Sequence, residues 1–191
     1  MIAFPNCKIN IGLHITEKRA DGFHNLESVM TPVYWNDILE IVKNPDATDV
    51  EFKSTGIRIY GDKETNLCVR AYHLLAKDFS LPQVKIHLHK IIPIGAGLGG
   101  GSSDAAFTLS TLNTLFKLDL SDEALESYAA QLGSDCPFFL HNKTLFAFER
   151  GDKFEKAKPL GKEYFIVLVK PKIHVNTALA YSWIKPTKRS E

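Results

Sequence analysis

The sequence predicts an α+β fold, and three observations predict it. The first third alternates in the manner of strands, and later stretches repeat apolar residues at helical intervals. Between a strand and a helix lies a glycine-rich segment, Pro93-Ile94-Gly95-Ala96-Gly97-Leu98-Gly99-Gly100-Gly101-Ser102-Ser103. A β-rich opening followed by alternating helices and strands differs from a doubly wound parallel sheet, in which strands and helices alternate from the start.

Residues 8–15 read as a strand with Ile9, Ile11, Leu13 and Ile15 on one face and Lys8, Asn10, Gly12 and His14 on the other. The polar face either looks into a site or is the wet side of an edge strand. After the Asp21-Gly22 turn come Leu26 to Val33. Ile38 to Val42 and Asp49 to Phe52 then suggest a meander, and Ile57 to Tyr60 lead to the turn at Gly61-Asp62. Asn66 is placed to cap a helix carrying Leu67, Ala71, Leu74, Leu75 and Phe79, with Pro82 beyond its end. A strand at 84–89, the glycine loop and a helix over 104–116 follow. Ser121 starts a further helix that Gly133 stops. Charge, proline and glycine cluster at 158–162, which predicts a boundary dividing the chain into 1–158 and 159–191. Beyond it, Tyr164 to Val169 read as a buried strand.

The glycine segment carries the functional signal. Backbone N–H groups of a glycine turn that runs into a helix N-terminus can surround a phosphate, where bulkier side chains would block the approach. A plain flexible turn is the competing reading, and the strand before and helix after it favour the nucleotide site. The segment lacks the Lys of a P-loop and the acidic ribose anchor of a dinucleotide fold.

Phosphoryl transfer needs a phosphate cradle, a cation and an acidic group that orients the acceptor hydroxyl. The loop, Lys8 and Asp135 supply that set. Asp135, in Gly133-Ser134-Asp135-Cys136-Pro137, has a second reading as the cap of a short helix beginning at Cys136. Ser102 and Ser103 are candidates for a phosphate or Mg²⁺ contact, and equally for capping the 104–116 helix. Phe23 and Tyr181 offer stacking faces for a base, with His24 to read its edge, although such aromatics more often serve packing.

Composition narrows the alternatives. The chain has 191 residues, 23 Lys and Arg against 22 Asp and Glu, and a net charge of +1, so no general field draws it to nucleic acid or to anionic lipid. Its 3 cysteines form no C-x-x-C pair and suit a reducing cytoplasm, and no signal peptide or membrane span is read. His87 and His89 share a strand face without a third ligand, so no protein-held metal is expected. A soluble, cytoplasmic protein follows, and a monomer or homodimer is expected.

The chain resembles the GHMP superfamily of small-molecule kinases through P-x-x-x-G-L-G-x-x-SS-x-AA at 93–106. Within it, the resemblance is to the family acting on 4-diphosphocytidyl-2-C-methyl-D-erythritol. That closer likeness rests on Pro5 to Ile11, on Arg19-Ala20-Asp21-Gly22-Phe23-His24-Asn25-Leu26, on the loop, on Leu132 to Phe139 and on Val169-Lys170-Pro171. The resemblance implies a GHMP-kinase N-terminal domain of the ribosomal-protein-S5 domain 2-like type, with the start of a truncated second α+β domain. It implies ATP with Mg²⁺ and phosphorylation of the 2-hydroxyl of a cytidine-diphosphate-linked methylerythritol in non-mevalonate isoprenoid synthesis.

By the same resemblance, Lys8 and Asp135 are the catalytic pair. Pro93, Gly95, Gly97, Leu98, Gly99, Gly100, Gly101, Ser102 and Ser103 hold ATP, with Asn66 and Lys90 near the adenosine. Asn10, Phe23, His24, Lys172, Thr177 and Tyr181 take the substrate, the cytosine lying between Phe23 and Tyr181. The chain departs from the family pattern at Phe23, where tyrosine is usual, at Cys7, and in the turn Phe148-Glu149-Arg150-Gly151. Other small-alcohol kinases, which need no Phe23-His24 platform, and a nucleotide-binding fragment without turnover are the alternatives.

Overall fold

Two four-stranded sheets share one layer of helices. The computed structural model describes residues 1–161, 163–171, 180, 181, 183, 184 and 186. Its strands are β1 (Ile2–Ala3), β2 (Asn6–Lys18), β3 (His24–Asn36), β4 (Ile38–Lys43), β5 (Glu51–Gly56), β6 (Val84–Lys90), β7 (Leu145–Phe148) and β8 (Lys153–Lys156). Its helices are α1 (Leu67–Ala76), α2 (Gly100–Phe116), α3 (Asp122–Leu132) and α4 (Cys136–His141). The first sheet has the order β1-β4-β6-β5 and the second β2-β3-β7-β8.

Helix α2 joins the two cores. Ala105, Leu109 and Leu112 pack with Leu39, Ile41, Ile86 and Leu88 of the first sheet and with Val69, Tyr72 and Leu75 of α1. Ala106, one position on, packs with Met30, Leu145 and Ala147 of the second sheet and with Phe138 and Phe139 of α4. Because α2 is wedged between both layers, its N-terminus is held at the seam, and the glycine loop that enters it has little freedom to drift.

The helix ends follow the expected local chemistry. Asn66 Oδ1 accepts from the Cys68 N–H at 2.9 Å, and Ser121 Oγ accepts from the Ala124 N–H at 3.3 Å. Helix α2, however, begins at Gly100, and its N-cap is Gly99 in the left-handed conformation, so Ser102 and Ser103 are inside its first turn and neither caps it.

Two expectations about strands are corrected, and one left open is decided. The stretch 49–60 is not part of a meander: β5 runs parallel to β6 from Glu51↔Lys85 to Gly56↔Lys90, with α1 as the crossover, and no strand forms at 57–60. In β2 the first of the two readings holds: the polar face looks inward, leaving Ile11 39% exposed while Lys8 is 5% exposed. A bulge at Gly12 shifts the register, since Asn10 pairs with Met30 but Leu13 with Ser28 and Ile15 with Leu26. Opposed residues share a face, so the Lys8-Asn10 side continues through Leu13 and Ile15. Finally, 164–169 is not a strand and is not buried: Phe165 is 95% exposed and Val169 84%. Among the described residues no strand pairs with it, and an unpaired apolar segment has nothing to be buried against.

Candidate active site

The loop is pinned at both ends by one buried ion cluster. Asp37, fully buried between β3 and β4, accepts from the N–H groups of Ile91 and of Ile92, the latter at 2.8 Å, at the loop's entrance. Lys90 donates to Asp37 and, at 2.7 Å, to Asp104 in the first turn of α2, at the loop's exit. Burial works against the Lys90 charge, but the facing Asp104 and Asp37 carboxylates together outweigh it, and the ammonium is held above its usual range. Asp104 moves the other way: burial, with Asp37 adding to it and Lys90 opposing it, pushes its carboxyl up to about 7.

Lys90 is 3% exposed and its ammonium is occupied by two carboxylates, so it supports the loop from beneath. Ser103 is likewise turned inward: its hydroxyl is fully buried, whereas Ser102 is partly exposed. Leu67, the residue after Asn66, has Cδ1 3.7 Å from where a Cβ on Gly101 in the first turn of α2 would be.

Above the cluster the chain turns through Gly95, Gly97 and Gly99, all at positive φ, and α2 starts with its free N–H groups at Gly100. A Cβ added to Gly97 would meet nothing within 4 Å, so the cup is open there. The loop sits directly on the lysine: the Lys8 N–H donates to the Leu98 carbonyl at 2.9 Å.

Lys8 and Asp135 meet beside this cup. The Lys8 ammonium is 3.3 Å from Asp135 Oδ2 and donates to Asn10 Oδ1 at 2.5 Å. Asp135 occupies the N-cap position of α4, yet its side chain makes no capping bond, which leaves the carboxylate to the lysine. The following Cys136 thiol is pushed up to about 11 by burial, with Ser102 working against the shift, so it stays protonated and is no nucleophile near neutrality.

The candidate platform for a base is formed in part. His24 and Tyr181 rings are 5.3 Å apart and tilted by 45°. Burial raises the Tyr181 phenol, and the Asp135 carboxylate adds to the effect. Phe23 is 57% exposed with the Arg150 guanidinium 5.4 Å over its ring. Lys172 and Thr177 lie outside the described residues. A hollow of about 650 Å³ lined by Asp46 to Lys53, Lys63 and Lys85 includes none of these side chains.

The sequence pattern alone does not single out Asp37, Asp104, Ser28 or Arg150. Asp104 carried a signal: it falls on the face of its helix with Thr108, Thr111 and Leu112, where a charge demands a partner. Asp37 stands alone between two strands and carried none.

Among the described residues no cluster of three or more His, Cys, Asp or Glu could hold a metal ion, and no helix is long and apolar enough to cross a membrane.

Residues 66–143 match the GHMP kinases N terminal domain family. The chain is 54% identical over 187 residues to the 4-diphosphocytidyl-2-C-methyl-D-erythritol kinase of Bacteroides fragilis, covering 97% of this chain and 68% of that protein. It is 48% identical over 189 residues to the enzyme of the same name from Cytophaga hutchinsonii, with the same two coverages. The crystal structure of a 4-(cytidine 5'-diphospho)-2C-methyl-D-erythritol kinase superposes with a TM-score of 0.76 at 32% identity, over 97% of this chain and 65% of that one. The mevalonate kinase of Methanococcus jannaschii, at 16% identity and a TM-score of 0.63, shares the fold over 83% of this chain and 56% of its own. The chain thus spans about two thirds of the relatives it matches. With its α+β architecture and the loop that enters α2, the chain belongs to the GHMP kinases and, within them, to the 4-diphosphocytidyl-2-C-methyl-D-erythritol kinase family.

Proposed function

We propose that this chain phosphorylates the 2-hydroxyl of 4-(cytidine 5'-diphospho)-2-C-methyl-D-erythritol with ATP, and that Lys8 and Asp135 carry the transfer. The observation that supports this most is their 3.3 Å approach beside the glycine cup. Asp135 orients the acceptor hydroxyl and takes its proton late, as the O–P bond forms, because an ordinary carboxylate is a weak base toward an alcohol. Lys8, buried and preorganised by Asn10, faces the charge that develops on the hydroxyl oxygen and the transferring group.

The open cup at Gly97 and the unpaired first N–H groups of α2 suit a polyphosphate, with Pro93, Gly95, Gly97, Leu98, Gly99, Gly100, Gly101 and Ser102 around it and Asn66 toward the nucleoside. Ser102 and Asp135 would offer oxygens to Mg²⁺ brought in with ATP, and the ion would supply charge neutralisation to the phosphates. The cytosine lies between Phe23 and Tyr181 with His24 at its edge, and Asn10 contacts the substrate from the strand floor. The reaction belongs to non-mevalonate isoprenoid precursor synthesis in the cytoplasm, carried out by a monomer or homodimer, with the first domain ending at 158.

Coupled ADP release tests this reading, on this chain and on a form extended to the length of its relatives. Turnover with the cytidine-diphosphate substrate and none with mevalonate is the expected result. Nucleotide binding without ADP release in either form would replace it with a non-catalytic role.

A further inference from the structure

We propose that Ser28 is a positioning residue for the catalytic lysine, acting through Asn10 and anchored by the Gly12 carbonyl at the β2 bulge. The inference rests on the reading of Lys8 as a catalytic group. Three hydrogen bonds run in sequence: Ser28 Oγ donates to the Gly12 carbonyl at 2.6 Å, Asn10 Nδ2 donates to Ser28 Oγ at 2.8 Å, and Lys8 Nζ donates to Asn10 Oδ1 at 2.5 Å.

The direction of this chain is not free. A side-chain amide can sit in either of two orientations, and its neighbours decide which. A backbone carbonyl can only accept, so the single hydroxyl proton of Ser28 is committed to Gly12. The hydroxyl oxygen is then left as an acceptor, and Asn10 must turn its NH2 toward Ser28 and its carbonyl oxygen toward Lys8. The opposite orientation would set an amide NH2 against an ammonium, donor against donor.

The bulge makes the anchor available. Gly12 sits at the register shift between Ile11 and Leu13, at φ +70°, where its carbonyl leaves the ladder and turns to Ser28. Ser28 is 3% exposed, so water does not compete for the hydroxyl. Lys8 is thereby held by a fixed acceptor on one side and Asp135 on the other, and the ammonium cannot swing away from the reacting oxygen.

The test is Ser28→Ala. It lowers kcat about 10- to 100-fold, the scale of a misplaced catalytic group, while nucleotide Kd stays within about twofold. Ser28→Thr, which keeps the hydroxyl, restores kcat. In an Asn10→Ala background Ser28→Ala lowers kcat no further, because its route to Lys8 is already cut. Full additive losses in that background would overturn the proposal. Side-chain amide NMR gives a readout independent of turnover: the Asn10 Nδ2 protons are protected from exchange in the native chain and lose protection in Ser28→Ala. If Ser28→Ala does not fold, Ser28→Cys replaces it, with a weak sulfur acceptor and the same expected losses. A chain inactive with every substrate but protected at Asn10 defeats the kinase reading and leaves this one standing, whereas unprotected Asn10 protons in the native chain defeat this one.

Discussion

Gly99 lies against the stem of Lys8: a Cβ placed on the glycine would come within 3.1 Å of Lys8 Cγ and 2.8 Å of the Phe139 ring. The glycine loop and Lys8 are therefore a single packed unit, and one atom added to the loop is felt at the lysine. Gly99→Ala also forces an L residue to φ +69°, which costs about 1–2 kcal/mol before the crowding is counted. Overpacking adds roughly 1–3 kcal/mol. Denaturant melts are expected to show that combined loss together with weakened ATP binding. Unchanged stability and affinity would mean that the loop and lysine are not in contact.

Asp135→Asn keeps the shape of the side chain and removes the charge 3.3 Å from Lys8. A fall in kcat of about 10²–10⁴-fold, the range for a positioned acid–base group, is expected with ATP affinity nearly intact. Steady-state kinetics with a separate nucleotide titration check it, and a variant that loses ATP binding in step with turnover would move Asp135 out of the transfer step.

The raised Asp104 carboxyl makes a signed statement about pH. Between its ordinary 3.8 and about 7, the folded chain holds a proton on Asp104 that the unfolded chain has released. This group's contribution to stability is therefore complete at acid pH and is lost as pH rises through that window, by a few kcal/mol in total. Urea melts of the native chain and of Asp104→Asn at pH 5 and pH 8 separate it from other titrations: the substitution removes this downward slope. Equal slopes in both would show that Asp104 is ionised throughout.

Phe23→Ala removes a stacking face, for which base–aromatic contacts suggest a loss of about 1–3 kcal/mol in binding the cytidine-diphosphate substrate. Calorimetric titration with that substrate and with ATP is the check. ATP affinity should hold, and an equal loss for both ligands would place Phe23 outside the pyrimidine site.

What was legible in the sequence was what local chemistry decides. Asn66 and Ser121 cap the helices they precede, the helical intervals mark α1, α2 and α3, and the glycine spacing announces the cup. Each depends on atoms within a few residues, so a short window of sequence holds the whole cause. The family likeness, spread over separated motifs, carried the assignment of the reaction.

Other features depended on distant neighbours. Lys90 is placed near the adenosine by the family resemblance alone; Asp37 and Asp104, from other elements, draw its ammonium inward. The alternation in β2 leaves open whether its polar face meets a site or water, and the packing of Lys8 beside Gly99 turns that face inward. Tyr164 to Val169 had the composition of a buried strand, and burial needs a partner that no local pattern supplies. The sequence by itself determined the elements, their caps and the phosphate cup, because bonds between near neighbours along the chain specify them. Only the tertiary structure decided that Lys8 meets Asp135, that Ser28 faces Asn10 and that Lys90 lies beneath the loop, because long-range packing chooses which polar groups lose water together and must satisfy one another.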